Sequence, residues 1–154
     1  PAAYQHEKNE DFKVVTSDDG SIKVQVIAGE LNGTYGRIAT QTPVNAFMIH
    51  ASEGGTMELP IAKEHQSLVY LLKGSVTINK EATLSFNNDQ MVWFAQDGEG
   101  FSIDAQTDSQ LLFLSGVPHH EKVTSWGPYV MNTQTEIMEA LRDFQQGKMG
   151  YLPS

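Results

Sequence analysis

From Ile22 the chain alternates IKVQVIA, setting Ile22, Val24 and Val26 on one side of an extended segment and Lys23 and Gln25 on the other. A period of two marks a strand with one buried face. Similar runs follow at NAFMIHA (45–51), LVYLLK (68–73), SVTIN (75–79), ATLSF (82–86), MVWFA (91–95), FSIDA (101–105) and QLLFLS (110–115). Between them stand turn formers: Asp18-Asp19-Gly20, Asn32-Gly33, Gly54-Gly55, Asn87-Asn88-Asp89 and the stretch 96–100, QDGEG. Asn, Asp and Gly accept the left-handed backbone that tight turns demand. Eight or so short strands at this pitch predict an all-β sandwich, barrel or jelly roll.

The period changes once, near the end. Ile137, Ala140, Leu141 and Phe144 recur at 3-1-3 spacing, with Glu136, Glu139, Arg142 and Asp143 on the other face, which predicts one amphipathic helix. Thr133 and Glu136 have the spacing of a capping box, and Gly147 fits the residue just past the helix. The apolar stripe needs a surface to lie on, in this chain or in a neighbour. Trp126-Gly127-Pro128-Tyr129 predicts the turn that hands the strands over to the helix, with its aromatics packed beneath it. The chain shows no internal repeat or low-complexity segment, and one domain over 1–154 is expected.

Composition narrows the function. Ten basic against nineteen acidic residues give a net charge of −9, which repels a phosphate backbone, so direct nucleic-acid binding is not expected. Zero cysteines exclude disulfides, thiolate metal sites and cysteine nucleophiles, and suit a reducing compartment. No apolar run nears the roughly 20 residues that span a bilayer, and the first residues lack a signal-peptide pattern, so a cytoplasmic location is expected. The opening residue, Pro1, is expected of a processed chain or of a segment of a longer one.

The segment GGTMELPIAKEHQ (54–66) has the frame of a metal site without its donors. In the cupin jelly roll a Gly is followed after five residues by His, after one by a second His, after three or four by Glu, and later by another Gly. Counted from Gly54, those positions hold Pro60, Ala62 and Gln66, with Gly74 closing the frame. A first-row metal needs imidazole or carboxylate donors, and Pro and Ala have none. The region 86–105, where a second cupin motif supplies another His, contains no His.

The final stretch, GVPHHEKVTSWGPYVMNTQTEIMEALRDFQQGKMG (116–150), with VIAGE (26–30) and the opening PAAYQ, resembles the pirin family, specifically its C-terminal cupin half. That resemblance implies a cupin double-stranded β-helix with one C-terminal α-helix. It also implies a two-cupin setting, in which the N-terminal half binds one iron through three His and one Glu while the C-terminal half is metal-free. Some pirins are similar in activity to quercetin 2,3-dioxygenases, and mammalian ones act as iron-dependent transcriptional cofactors. The metal-bearing half has no counterpart in these residues, so the resemblance points to a partner-domain role.

Other residues invite chemistry. His119-His120-Glu121 is a donor-rich triplet, but neighbouring side chains on an extended segment point apart, which favours a solvated loop. His50 and His65, with Glu58 or Glu64, compose a facial triad if the strands bring them to one barrel mouth. Tyr70, Met91, Trp93, Phe94, Phe101 and Phe113 are expected either to line a small apolar barrel pocket or to fill the core. Ser67, Ser75, Ser85 and Ser115 lack an evident His and acid arrangement, and no phosphate-binding glycine pattern exists.

Three readings follow from the residues. The first is a metal-free module that packs against a second cupin or forms a homodimer, since a spare apolar sheet face and a striped helix call for partners. The second is a dioxygenase with iron or another first-row metal held by His50, His65, His119 or His120. The third is a small-molecule binder whose barrel holds an apolar ligand.

Overall fold

The structure, a computed structural model, describes residues 5–150; the first four residues of the PAAYQ segment lie outside them. In chain order the strands are β1 (Lys13–Thr16), β2 (Ile22–Ala28), β3 (Glu30–Leu31), β4 (Thr34–Tyr35), β5 (Val44–Ala51), β6 (Thr56–Pro60) and β7 (Gln66–Lys73). They continue with β8 (Ser75–Ile78), β9 (Ala82–Ser85), β10 (Met91–Trp93), β11 (Gly100–Ala105), β12 (Ser109–Gly116), β13 (Thr124–Trp126) and β14 (Tyr129–Met131), before helix α1 (Gln134–Gln145). The eight runs read from periodicity all form strands. Missed were the short β1, β3, β4, β13 and β14, which carry too few alternations to register, and β6, whose TMELP sits inside the metal-like frame.

Two compact units result, one running to Pro118 and one starting at His119. The first holds an antiparallel six-stranded sheet, ordered β1-β2-β5-β12-β7-β10, and a four-stranded sheet, ordered β6-β11-β8-β9. Inward residues alternate along each strand: Ile22, Val24 and Val26 on β2, Phe47 and Ile49 on β5, Val69 and Leu71 on β7, and Leu111 and Phe113 on β12. They meet Leu59, Val76, Ile78, Leu84, Phe101 and Ile103 from the smaller sheet in one core. This is the double-sheeted jelly roll.

Its interior is occupied by aromatic rings in sequence. Phe47 lies 5.4 Å from Phe113, Phe113 5.3 Å from Phe101, and Phe101 4.9 Å from Phe94, measured between ring centroids. Pairs at such separations add about 0.5–1.5 kcal/mol each beyond the area they bury.

In the second unit, α1 packs on the β13–β14 hairpin, whose turn is Gly127-Pro128. The capping box forms: Thr133 Oγ1 accepts from Glu136 N at 3.3 Å and Glu136 Oε2 accepts from Thr133 N at 2.8 Å. At the other end Gly147, at φ +72°, donates to Phe144 O while Lys148 N donates to Asp143 O, closing a Schellman turn. Ile137 and Ala140 are buried, but Phe144 is 60% exposed, so the stripe is narrower than its spacing suggests. Trp126 is 61% exposed and therefore does not pack beneath the helix, whereas Tyr129, its cross-strand partner, is half-buried.

Two turns show how local chemistry fixes the strands. Gly74 joins β7 to β8 at φ +90°, and a methyl group there would stand 2.3 Å from Ser109 Oγ. Gly20 in the β1–β2 turn also has positive φ, +75°, but open space around it. In that turn Asp19 accepts from Ser17 Oγ at 2.6 Å, from Ser21 Oγ at 2.7 Å and from Ser21 N at 3.0 Å. The Ser17 and Ser21 hydroxyls, then the Ser21 amide, favour the ionised carboxylate and lower its pKa from 3.8 to about 2.

Gly74→Ala is expected to cost about 2 kcal/mol or more in urea denaturation, from strain and clash together, whereas Gly20→Ala costs about 1 kcal/mol from strain alone. The Asp19 carboxyl is expected to titrate near 2 by NMR. Its pKa is lower folded than unfolded, so its stabilisation is complete above 3.8 and is lost as pH falls through about 2. Replacing Ser17 and Ser21 by Ala should return the midpoint toward 3.8.

Candidate functional site

The metal-like frame lies where β6 ends and β7 begins, and strand alternation decides which of its side chains turn inward. On β7, Ser67, Val69 and Leu71 are buried, so Gln66 points out and is exposed. Pro60 and Ala62 are exposed too. The count from Gly54 is thus one residue out of step with the fold. Counted from Gly55, the same spacing falls on Ile61, Lys63 and Ser67, with Gly74 following after six intervening residues. This register matches the structure: Ile61 packs against the core and Ser67 is buried.

Neither register supplies donors. Ile61 has none, the Lys63 ammonium is itself a cation and pairs with Glu99 at 2.6 Å, and Ser67 offers a neutral hydroxyl. These residues do not fit a first-row divalent ion.

The histidines do not converge to replace them. His50 and Lys73 both stand beside Gln110 on β12, while Val44 and Gln66 both stand beside Gly116. His50 is therefore at one end of the sheet and His65, just before Gln66, at the other. The span is six rungs, roughly 20 Å. The strands therefore do not bring both to one barrel mouth, and the condition for a facial triad is not met. Glu58 sits on β6 beside Ser102, and Glu58 and Glu64 are exposed. His119 and His120 are exposed in the second unit, His120 in a left-handed turn at φ +54°. Among the described residues no three His, Asp or Glu side chains gather as a metal-holding group.

His65 is buried at 7% exposure, and its Nδ1 lies 3.0 Å from Ser115 Oγ, itself buried. It borders a cavity of about 430 Å³ formed where β2 ends and β5 begins. The pairing was invisible in the sequence, where fifty residues separate the partners; Ser67 and Ser115 become neighbours only through the β7–β12 register.

The aromatic candidates separate by face. Phe101 and Phe113 belong to the packed core, whereas Tyr70, Met91 and Trp93 lie outside it, with Met91 and Trp93 53% and 60% exposed. Since Val69, Leu71 and Phe113 point in, Tyr70, Met91 and Trp93 point out, and the five do not line a common pocket. Instead the outer face carries two adjacent apolar rows. One runs Met48, Leu112, Tyr70, Met91 and the other Ala46, Leu114, Leu68, Trp93, across β5, β12, β7 and β10. The next rung is polar and partly basic: Lys23, His50, Gln110, Lys73. Leu68, Leu112 and Leu114 escaped notice individually, although the unbroken apolar runs LVYLL and LLFL are what a strand covered on both faces requires.

Residues 46–150 match the family model of the pirin C-terminal cupin domain. The chain belongs to that family. Human pirin is 30% identical over 152 residues, covering 96% of this chain and 51% of its own length. A Pseudomonas aeruginosa protein provisionally named quercetin 2,3-dioxygenase is also 30% identical, over 96% of this chain and 53% of its own. A crystal structure of quercetin 2,3-dioxygenase from Acinetobacter baumannii superposes with a TM-score of 0.91 at 33% identity, over 99% of this chain and 52% of that one. The chain spans about half the length of the curated relatives it matches. The pirin-type cupin fold expected from the closing WGPYVMNT and DFQQGKMG segments is therefore the fold observed.

Ser115→Ala is expected to destabilise the pirin cupin by about 1–3 kcal/mol in urea denaturation, because it strips a buried imidazole nitrogen of its partner without removing the ring.

Proposed function

We propose that this chain is a metal-free pirin-type cupin half whose role is to pack against a second cupin. That partner is either another copy of the chain or a further half of the kind its longer relatives have room for. The observation that carries the reading is the pair of apolar rows on the outer sheet face, Met48 to Met91 and Ala46 to Trp93. Eight apolar side chains side by side on one antiparallel sheet face are the composition of an interface core. The basic rung beside them, with Lys23 and Lys73, suits an acidic rim on the partner. The donor-poor frame of Ile61, Lys63 and Ser67 supports a role outside metal chemistry for this half.

A second reading draws on the names of the relatives. Proteins called quercetin 2,3-dioxygenase share the fold and about a third of the residues, and a dioxygenase role would need iron or another first-row metal. In this chain its ligands would have to come from His50, His65, His119 or His120. The two readings part on metal stoichiometry and on assembly.

The purified chain is expected to sediment as a dimer at micromolar concentration, or to bind a purified N-terminal cupin half of a pirin relative. Tyr70→Lys with Trp93→Glu should weaken that association by on the order of 100-fold while leaving the circular dichroism unchanged. A strict monomer that ignores the N-terminal half defeats the proposal. One equivalent of iron in the purified chain, lost on replacing those histidines, would favour the dioxygenase reading instead.

A further inference from the structure

The cavity beside His65 combines a volume of about 430 Å³ with one buried polar group aimed at it. That volume lies within the range of small-molecule sites. Its walls include Tyr35, Ile38, Pro43 and Val44, with Glu30 and Asn45 among the polar residues. Asn45 is already engaged, its Oδ1 accepting from Glu30 N at 3.2 Å, and the Glu30 carboxylate accepts from Gly33 N.

His65 is different. One ring nitrogen, Nδ1, is paired with Ser115 Oγ at 3.0 Å. No protein atom bonds the other, Nε2, among the described residues. Nor is Nε2 sealed from solvent, since the sealed and unpaired side-chain atom among the described residues is Asp104 Oδ2. In a residue only 7% exposed that lines this cavity, Nε2 is a polar atom within reach of an occupant.

The hydroxyl partner bears on which nitrogen carries the proton. Ser115 is 5% exposed, and among the described residues His65 Nδ1 is the one partner its hydroxyl has. A buried O–H must donate or be left unsatisfied, so Ser115 donates and Nδ1 accepts. With Ser115 donating, a neutral ring holds its hydrogen on Nε2, an N–H donor in a cavity whose lining mixes Tyr35, Ile38, Pro43 and Val44 with Glu30, Thr40 and Asn45. A cation would meet that donor head-on, and an anion would enter beside Glu30 in a chain of net charge −9.

We propose that this cavity binds a small neutral molecule whose carbonyl oxygen accepts a hydrogen bond from His65 Nε2–H. The site is independent of the apolar rows on the outer sheet face, so it stands or falls apart from the packing role.

The test uses the full chain and two probes of nearly equal shape, acetophenone and ethylbenzene, followed by NMR. In the free protein the imidazole nitrogens of His65 should show Nδ1 unprotonated and Nε2 protonated. Acetophenone should shift Nε2 and the amides of Glu30, Asn45 and His65, and ethylbenzene should bind about three- to tenfold more weakly, the worth of one hydrogen bond. His65→Phe should bring acetophenone down to the ethylbenzene affinity. Should that variant fail to fold, the proton position and the two-probe comparison in the wild-type chain decide. A proton on Nδ1, equal affinity for the two probes, or no cavity shifts with either at millimolar concentration would each overturn the proposal.

Discussion

The interior of this jelly roll is filled, and that constraint shapes everything else. Phe47 and Phe113 of the larger sheet, Phe101 of the smaller and Phe94 just after β10 touch ring to ring, and branched aliphatics close around them. A barrel of this width holds either side chains or one small guest, not both. With the centre taken, whatever this half does must happen at the ends of the sheets or on their outer surfaces. The His65 cavity is at an end, and the two apolar rows are on a surface.

The fold also shows that a metal frame and a strand frame are separable. Gly74, which closes the cupin spacing, is held by its backbone: positive φ and the nearness of Ser109 exclude a side chain whatever occupies the donor positions. Ile61 and Ser67 keep the inward orientation of those positions while contributing packing and a hydroxyl. Losing donors therefore removes chemistry without loosening the barrel, because imidazole and carboxylate at such sites serve the ion and not the core.

Much of this was legible in the chain. Strict alternation announced β2, and the apolar runs announced β5, β7 and β12, since long strands repeat their period often enough to be read. Two-residue strands such as β3 and β4 cannot announce themselves this way. The resemblance to pirins rested on the closing segment and proved a sound guide to fold. What failed was register. One residue of slip placed Pro60, Ala62 and Gln66 where Ile61, Lys63 and Ser67 belong, since a period of two turns any odd error into the opposite face. The same blindness to facing left open a pocket shared by Tyr70, Met91, Trp93, Phe101 and Phe113, and a site joining His50 to His65. Pairing between distant strands decides such questions, and a linear pattern does not contain it.

The chain has two tryptophans, Trp93 and Trp126, one in each compact unit and both about three-fifths open to water. Each indole is thus a built-in optical gauge with a wet baseline. Trp93 ends an apolar row, so anything that settles over that row must dry its ring and move its emission to shorter wavelength. Swapping Trp126 for phenylalanine would leave a single fluorophore whose colour reads coverage of that surface without any attached label.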